Sequence, residues 1–209
     1  MKNYDDLVRI CKKVYNRGFS PGYSSNISIR KSSHFVITPS GFSLETVEKD
    51  DLIELDFEAQ QLAGKTRASS EKLMHLHIYK KRPDVNAIIH CHAPKISAFA
   101  VAGNAFEGGF ILAEVPYLFG SEIPLVDYLM PSSIELAEAA SNALKHSDAA
   151  ILKNHGVIVA GKTLDDAFYK LDTIEYVAQV YLDAKQLGNM TFLAKEETDK
   201  LLELRNKAH

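Results

Sequence analysis

Two histidines separated by one residue, His90 and His92, close a run that is mostly apolar and rich in β-branched side chains from Val85 to Ile89. That composition predicts a short buried strand. Strand side chains alternate faces, so His90 and His92 point the same way and Cys91 points to the opposite face with Ile89. An extended His-x-His pair offers two neutral imidazoles to one point in space, as a metal site requires. The pair equally suits two histidines satisfied by ordinary hydrogen bonds at a strand end, and a third ligand is what decides. His155, in the turn Asn154-His155-Gly156 between the apolar stretches 148–152 and 157–160, is the candidate. Such a turn aims a side chain into a cleft, and Gly156 permits unusual backbone angles. Taken alone, His155 is an ordinary turn residue; with His90 and His92 it makes three histidines with an open position, the pattern of catalytic zinc. The remaining histidines fit less well. His75 and His77 lie on a predicted helix and cannot share a face at that spacing. His75 follows Glu71 by four residues and is placed to support that carboxylate. His34, His146 and His209 read as surface residues.

Three small polar turns are the other chemical candidates: Ser25-Asn26, Ser40-Gly41 and Ser69-Ser70. Each offers hydroxyls and free backbone N–H groups. Ser69-Ser70 does so at a helix N-terminus, where the dipole favours an anion. Singly they are capping and turn chemistry; converging, they hold a phosphate without a Walker loop. Glu71 sits in the same first turn. There it is either an acid stabilised by the helix dipole or a base beside a metal.

The elements that must position these groups follow from periodicity. Leu7, Ile10, Cys11 and Val14 recur at helical spacing, which predicts an amphipathic helix over 3–17 with Gly18 as its stop. Ile27 and Ile29 alternate with polar residues as a strand, paired across Lys31-Ser32-Ser33 with a second strand over 34–38. A strand over 53–56 and a turn at Leu62-Ala63-Gly64 follow. Ser69 or Ser70 is expected to cap a helix that runs to Lys81 and ends at Arg82-Pro83, where proline disfavours helical geometry in the residue before it. Pro94 opens a helix to Ala102. A loop over 103–109 precedes expected strands over 110–117 and 123–126. Ser132 with Glu135 reads as a capping box opening a helix to about His146. Thr163 caps a long helix reaching Gly188, and a charged helix spans 195–207.

The 209 residues give ample chain for a core and read as a single domain over 1–209. Early hairpins followed by mixed helices and strands predict an α/β fold with a largely antiparallel sheet. The net charge of −3 and the lack of a basic run beyond Lys80-Lys81-Arg82 argue against a nucleic-acid partner. No apolar stretch is long enough to span a bilayer, and Met-Lys-Asn-Tyr-Asp-Asp at the start lacks an apolar signal region. Two cysteines, Cys11 and Cys91, do not make a disulfide framework, so a reducing cytoplasm is the expected setting.

In order along the chain, Ser25-Asn26-Ile27-Ser28, Thr38-Pro39-Ser40-Gly41, Ser69-Ser70-Glu71, Arg82-Pro83-Asp84 through His90-Cys91-His92, and Asn154-His155-Gly156 resemble the class II aldolase/adducin family. The similarity runs from about residue 5 to residue 185 and is strongest to the zinc-dependent branch that cleaves L-fuculose 1-phosphate. The resemblance implies one zinc on His90, His92 and His155, Glu71 as acid/base, and substrate phosphate on Asn26, Ser40, Gly41, Ser69 and Ser70. Ser25 joins that set through its turn, although the family usually has glycine there. The resemblance further implies a three-layer α/β/α sandwich, a cyclic homotetramer with sites between subunits, and reversible cleavage of a ketose 1-phosphate to dihydroxyacetone phosphate and an aldehyde. The family's tyrosine from a neighbouring subunit has no close counterpart; Tyr117 lies in its region, but 114–120 does not match. Sugar-phosphate dehydratases of the methylthioribulose-phosphate type and sugar-acid phosphate decarboxylases share this scaffold. The adducin branch, a non-enzymatic interaction domain, lacks the full metal set that this chain carries.

Overall fold

The computed structural model describes residues 2–106 and 109–208. Strand β5 (Ala87–Cys91) lies at the centre of the structure, buried along its whole length. Eight strands form one sheet in the order β4-β3-β2-β1-β5-β8-β7-β6. Its other members are β1 (Asn26–Arg30), β2 (His34–Ile37), β3 (Ile53–Asp56), β4 (Gln61–Ala63), β6 (Leu125–Val126), β7 (Ala149–Leu152) and β8 (Gly156–Gly161). Every pairing is antiparallel except β6 with β7. The β5–β1 register sets Asn26 opposite His90 and Ser28 opposite Ile88. The β5–β8 register sets His90 opposite Ile158.

Strand alternation divides the apolar residues between two cores. Ile27, Ile29, Ala87, Ile89, Cys91, Val157 and Val159 face one core. There they meet α1 (Lys2–Asn16), α3 (Pro94–Ala102) and α6 (Leu164–Leu187). Phe35, Ile37, Ile88, Ile158 and Ala160 face the other, under α2 (Lys72–Lys81) and α5 (Ile134–Ala143). Each fully buried isoleucine of this sandwich contributes roughly 1.5–3 kcal/mol by leaving water. Cys11 and Cys91 are both free and buried. Among the described residues no helix is long and apolar enough to cross a membrane.

Four expectations need correction. The segment 110–117 is not a strand: it bends and then forms α4 (Glu114–Phe119). Pro116 accounts for this, since it cannot donate to a ladder but is tolerated in a first helical turn. Leu62 and Ala63 do not turn; they pair as β4 with β3. The cap of α5 is Ser133, whose hydroxyl accepts from Leu136 N, so Ser132 and Glu135 form no capping box. The capping position of α2 is Glu71, with no side-chain cap, and Ser69 Oγ instead accepts from Glu71 N. Part of the loop expected over 103–109, and His209, lie outside the described residues. The charged helix is α7 (Lys195–Ala208).

Helix α3 starts immediately after His92 and its first-turn amides need acceptors, because Ala93 has no capping side chain. Glu175 of α6 supplies both, Oε1 accepting from Lys95 N at 2.8 Å and Oε2 from Ile96 N at 2.9 Å. Glu175→Ala strands these amides and should lower the unfolding free energy by roughly 1–3 kcal/mol, with Glu175→Gln losing less. Urea titration of the three proteins measures it, and equal midpoints would mean that water replaces the carboxylate at no cost.

At the far end of β5, buried Asp148 pairs with Arg82 at 2.9 Å, Lys170 at 3.0 Å and Arg205 at 3.0 Å. These charges line a separate cavity of about 160 Å³ and tie α6 and α7 to the sheet.

Candidate metal centre and active site

His90 sits on the α2 side of β5 and is fully buried. Its Nδ1–H donates to the Val157 carbonyl at 3.0 Å, so Nε2 carries the free lone pair. His92, one residue beyond the strand, places its Nε2 3.3 Å from that of His90. His155 swings in from the β7–β8 turn, its ring 4.7 Å from the His90 ring and 5.2 Å from the His92 ring. One nitrogen from each ring lies within 4.8 Å of the others, so the three can hold a metal ion. Tetrahedral bonds of about 2.0–2.1 Å put neighbouring nitrogens about 3.3 Å apart, and the His90–His92 separation meets that requirement. Burial, then the neighbouring His90, lowers both His92 and His155 to about 4, which keeps their lone pairs available at neutral pH.

The Asn-His-Gly turn works differently from its sequence reading. Asn154, not Gly156, takes the left-handed backbone (φ 53°), which asparagine tolerates. Gly156 is required for space: a Cβ there would lie 2.5 Å from the Cys91 carbonyl and 2.6 Å from the His92 ring. The absent side chain lets the His92 ring lie against the turn that carries His155.

Glu71 completes the cluster from the start of α2. Its Oε2 is 3.0 Å from His90 Nε2 and accepts from Asn26 Nδ2 at 3.2 Å. Its Oε1 lies 3.5 Å from His155 Nε2 and has no hydrogen-bond donor in the protein. Burial disfavours its charge, but the His90 and His155 imidazoles and the Asn26 amide outweigh that and hold the carboxyl below its usual range. His75 is linked to Glu71 by hydrogen bonds through Asn26, whose Oδ1 accepts from His75 Nε2 at 2.6 Å and whose Nδ2 donates to Glu71.

A cleft of about 300 Å³ opens over the cluster. Its wall takes in Ser25, Asn26, Ser40, Gly41, Ser69 and Ser70 along with Glu71, His92 and His155. Two of the serine turns are tied together, Ser40 N donating to Arg67 O at 2.9 Å and Ser69 N to Thr38 O at 3.2 Å. Gly41 turns the chain at φ 77°. Ser40 and Ser70 are exposed to the cleft, and the buried Ser25 hydroxyl has no protein partner. The Asn26 side chain is engaged with Glu71 and His75, which separates it from the free hydroxyls around it. Tyr23, Pro131 and Ser132 also reach the cleft, and the sequence reading missed them. The left-handed Ser132 (φ 68°) follows Pro131 in a turn that had read as a helix cap.

Comparison with known proteins agrees with this arrangement. The family pattern described as Class II Aldolase and Adducin N-terminal domain matches residues 5–182. The L-fuculose phosphate aldolase of Methanocaldococcus jannaschii is 36% identical over 176 residues, 84% of this chain and 93% of that protein. The 3-oxo-tetronate 4-phosphate decarboxylase of Haemophilus influenzae is 32% identical over 178 residues, 84% of each chain. A solved structure of an L-fuculose 1-phosphate aldolase superposes with a TM-score of 0.92 at 26% identity, covering 99% of this chain and 97% of that one. With the match running across the sheet, the three histidines and the serine turns alike, the chain belongs to the class II aldolase/adducin family.

Proposed function

We propose that the chain is a zinc-dependent aldolase that reversibly cleaves a ketose or deoxyketose 1-phosphate, such as L-fuculose 1-phosphate, into dihydroxyacetone phosphate and an aldehyde. The carrying observation is that His90, His92, His155 and Glu71 converge beside a cleft walled by serine turns. An all-imidazole set of three with an open position suits zinc. A divalent ion held there supplies Lewis acidity to the carbonyl and hydroxyl oxygens of the ketose. Glu71 Oε1, free of protein donors, moves the proton at the enediolate carbon. Ser25, Ser40, Gly41, Ser69, Ser70 and the Asn26 turn hold the phosphate and orient the chain of the sugar. Exposed Tyr128 and Met130 shortly precede the cleft residue Pro131, and exposed Tyr23 lines the cleft itself, which supports a subunit contact near the site, as in the homotetramer the family resemblance implies.

The deciding experiment is release of dihydroxyacetone phosphate from a panel of deoxyketose 1-phosphates by the zinc-loaded protein. Decarboxylation of a sugar-acid phosphate is the second reading, favoured by the Haemophilus influenzae relative. Carbon dioxide release without dihydroxyacetone phosphate would select it. The serine turns carry their own expectation. Ser40→Ala and Ser70→Ala each remove a hydrogen bond to a charged group, roughly 1.5–3 kcal/mol, and should weaken substrate binding about 10- to 150-fold. KM measured for phosphorylated and free ketose tests this; equal turnover of the two by the unaltered protein removes the phosphate site.

A further inference from the structure

A line of buried hydrogen bonds runs from Glu71 into the core, away from the cleft. Beyond the Asn26 amide and His75 Nε2, His75 Nδ1 lies 2.6 Å from Ser28 Oγ, which lies 2.8 Å from the Tyr79 hydroxyl. Glu71, His75 and Tyr79 follow one another at four-residue spacing on one side of α2. Asn26 and Ser28 are the alternate residues of β1 that face them. His75 and Ser28 are 0% exposed and Tyr79 1%, so water has no access to correct a wrong orientation.

The chemistry of the two ends gives this line a direction. A carboxylate only accepts, so the amide nitrogen of Asn26 must face Glu71 and its oxygen must face His75. His75 therefore presents Nε2–H. Burial, then the nearby His90, lowers His75 to about 3, so the ring is neutral and has one proton. Nδ1 then accepts from Ser28 O–H, and Ser28 accepts from the Tyr79 hydroxyl, which burial keeps protonated. Every donor points toward Glu71. The two ends of an asparagine amide have nearly the same shape, so packing does not choose between them. Turned over, Asn26 would set its oxygen against Glu71 Oε2.

We propose that His75 is a positioning residue: it fixes the Asn26 amide with its nitrogen on Glu71 Oε2 and so leaves Oε1 as the oxygen that takes and returns the proton. The proposal rests on the reading of Glu71 as acid/base, and two measurements separate the fates of the two ideas. Long-range ¹⁵N–¹H spectra of the metal-free full chain report the tautomer of His75. The Nε2–H form is expected, and the Nδ1–H form overturns the proposal whatever the activity. The second measurement is exchange of a carbon-bound proton of dihydroxyacetone phosphate with deuterated water by the zinc-loaded protein. His75→Leu should keep its zinc and its KM while exchange slows about 10–100-fold, the usual effect of losing a partner one shell out. His75→Gln, whose amide can donate to Asn26 and accept from Ser28, should recover most of that rate. Unchanged exchange in His75→Leu, or no recovery in His75→Gln, reduces the line to core packing. If His75→Leu does not fold, Ser28→Ala takes its place. Removing the donor to Nδ1 should mix the two tautomers and slow exchange, and a pure Nε2–H form with the original rate overturns the proposal. If the unaltered protein exchanges no proton, the aldolase reading fails and the tautomer alone judges the orientation.

Discussion

His155→Ala should be purified with little bound zinc and little activity, whereas His146→Ala, at an exposed position outside the three-histidine group, keeps both. His90 is fixed by β5 and its hydrogen bond to Val157 O, and His92 directly after the strand donates its backbone N–H to Phe19 O, so the alanine variant retains two ligands in place. Two imidazoles do not replace three. If a binding free energy of about 10–16 kcal/mol is shared among the ligands, losing one costs on the order of 10²–10⁴ in affinity. Metal analysis after exhaustive dialysis measures the loss, and stoichiometric zinc on His155→Ala would falsify the three-histidine assignment. A pH signature accompanies it in the metal-free protein. His92 and His155 are lowered to about 4 in the fold, against about 6.5 for an unfolded histidine. Between those values the unfolded chain binds more protons, so stability falls as pH drops from about 6.5 toward 4. His155→Ala removes one of the two groups and should show a shallower decline in urea midpoint across that window.

The parts of the molecule that were legible in the sequence are those fixed by local chemistry. Ala87, Ile88 and Ile89 form an unbroken apolar run, which suits a strand buried on both faces. That run ends in two histidines on one face, so their convergence was legible as well. The segment 110–117 was not, because apolar residues without clear periodicity fit strand or helix; the decisive residue was Pro116, which a ladder rejects and a first turn accepts. The start of α2 was misplaced by one or two residues because two consecutive serines and a glutamate all make plausible caps. The cost of that ambiguity was functional. Placing Glu71 at the cap rather than inside the first turn is what frees its carboxylate to face His90 and His155. The link from Asn26 to Glu71 spans 45 positions and depends on the β1–β5 register, which sets Asn26 opposite His90, and on α2 bringing Glu71 to the same place. No local pattern encodes it, so the hydrogen bond between the Asn26 side chain and Glu71 was not legible in the sequence.

Glu71→Gln is expected to fold, hold zinc and bind substrate phosphate, yet to lose most of its proton transfer. Three histidines remain to hold the ion, and glutamine has nearly the same size as glutamate. The Ser69-Ser70 turn is untouched, because it meets Glu71 through the backbone N–H that donates to Ser69 Oγ, and the side chain of Glu71 meets the Ser25-Asn26 turn only at Asn26 Nδ2. The new amide can turn its oxygen to Asn26 Nδ2, keeping that hydrogen bond, and then presents NH₂ where Oε1 had been. An amide nitrogen at that position cannot accept a proton from carbon. The parent carboxyl, held below its usual range by His90, His155 and Asn26 against the effect of burial, is ionised at neutral pH and ready to accept. Removing a positioned general base typically costs ~10²–10⁴-fold in rate, and the loss should fall on kcat with KM little changed. Exchange of the dihydroxyacetone phosphate proton with deuterated water, followed by NMR, isolates this step because it needs no aldehyde. A mutant that exchanges at the parent rate would show that the Glu71 side chain only braces the histidines and Asn26. The base would then have to be sought among the other groups facing the cleft or on a neighbouring subunit.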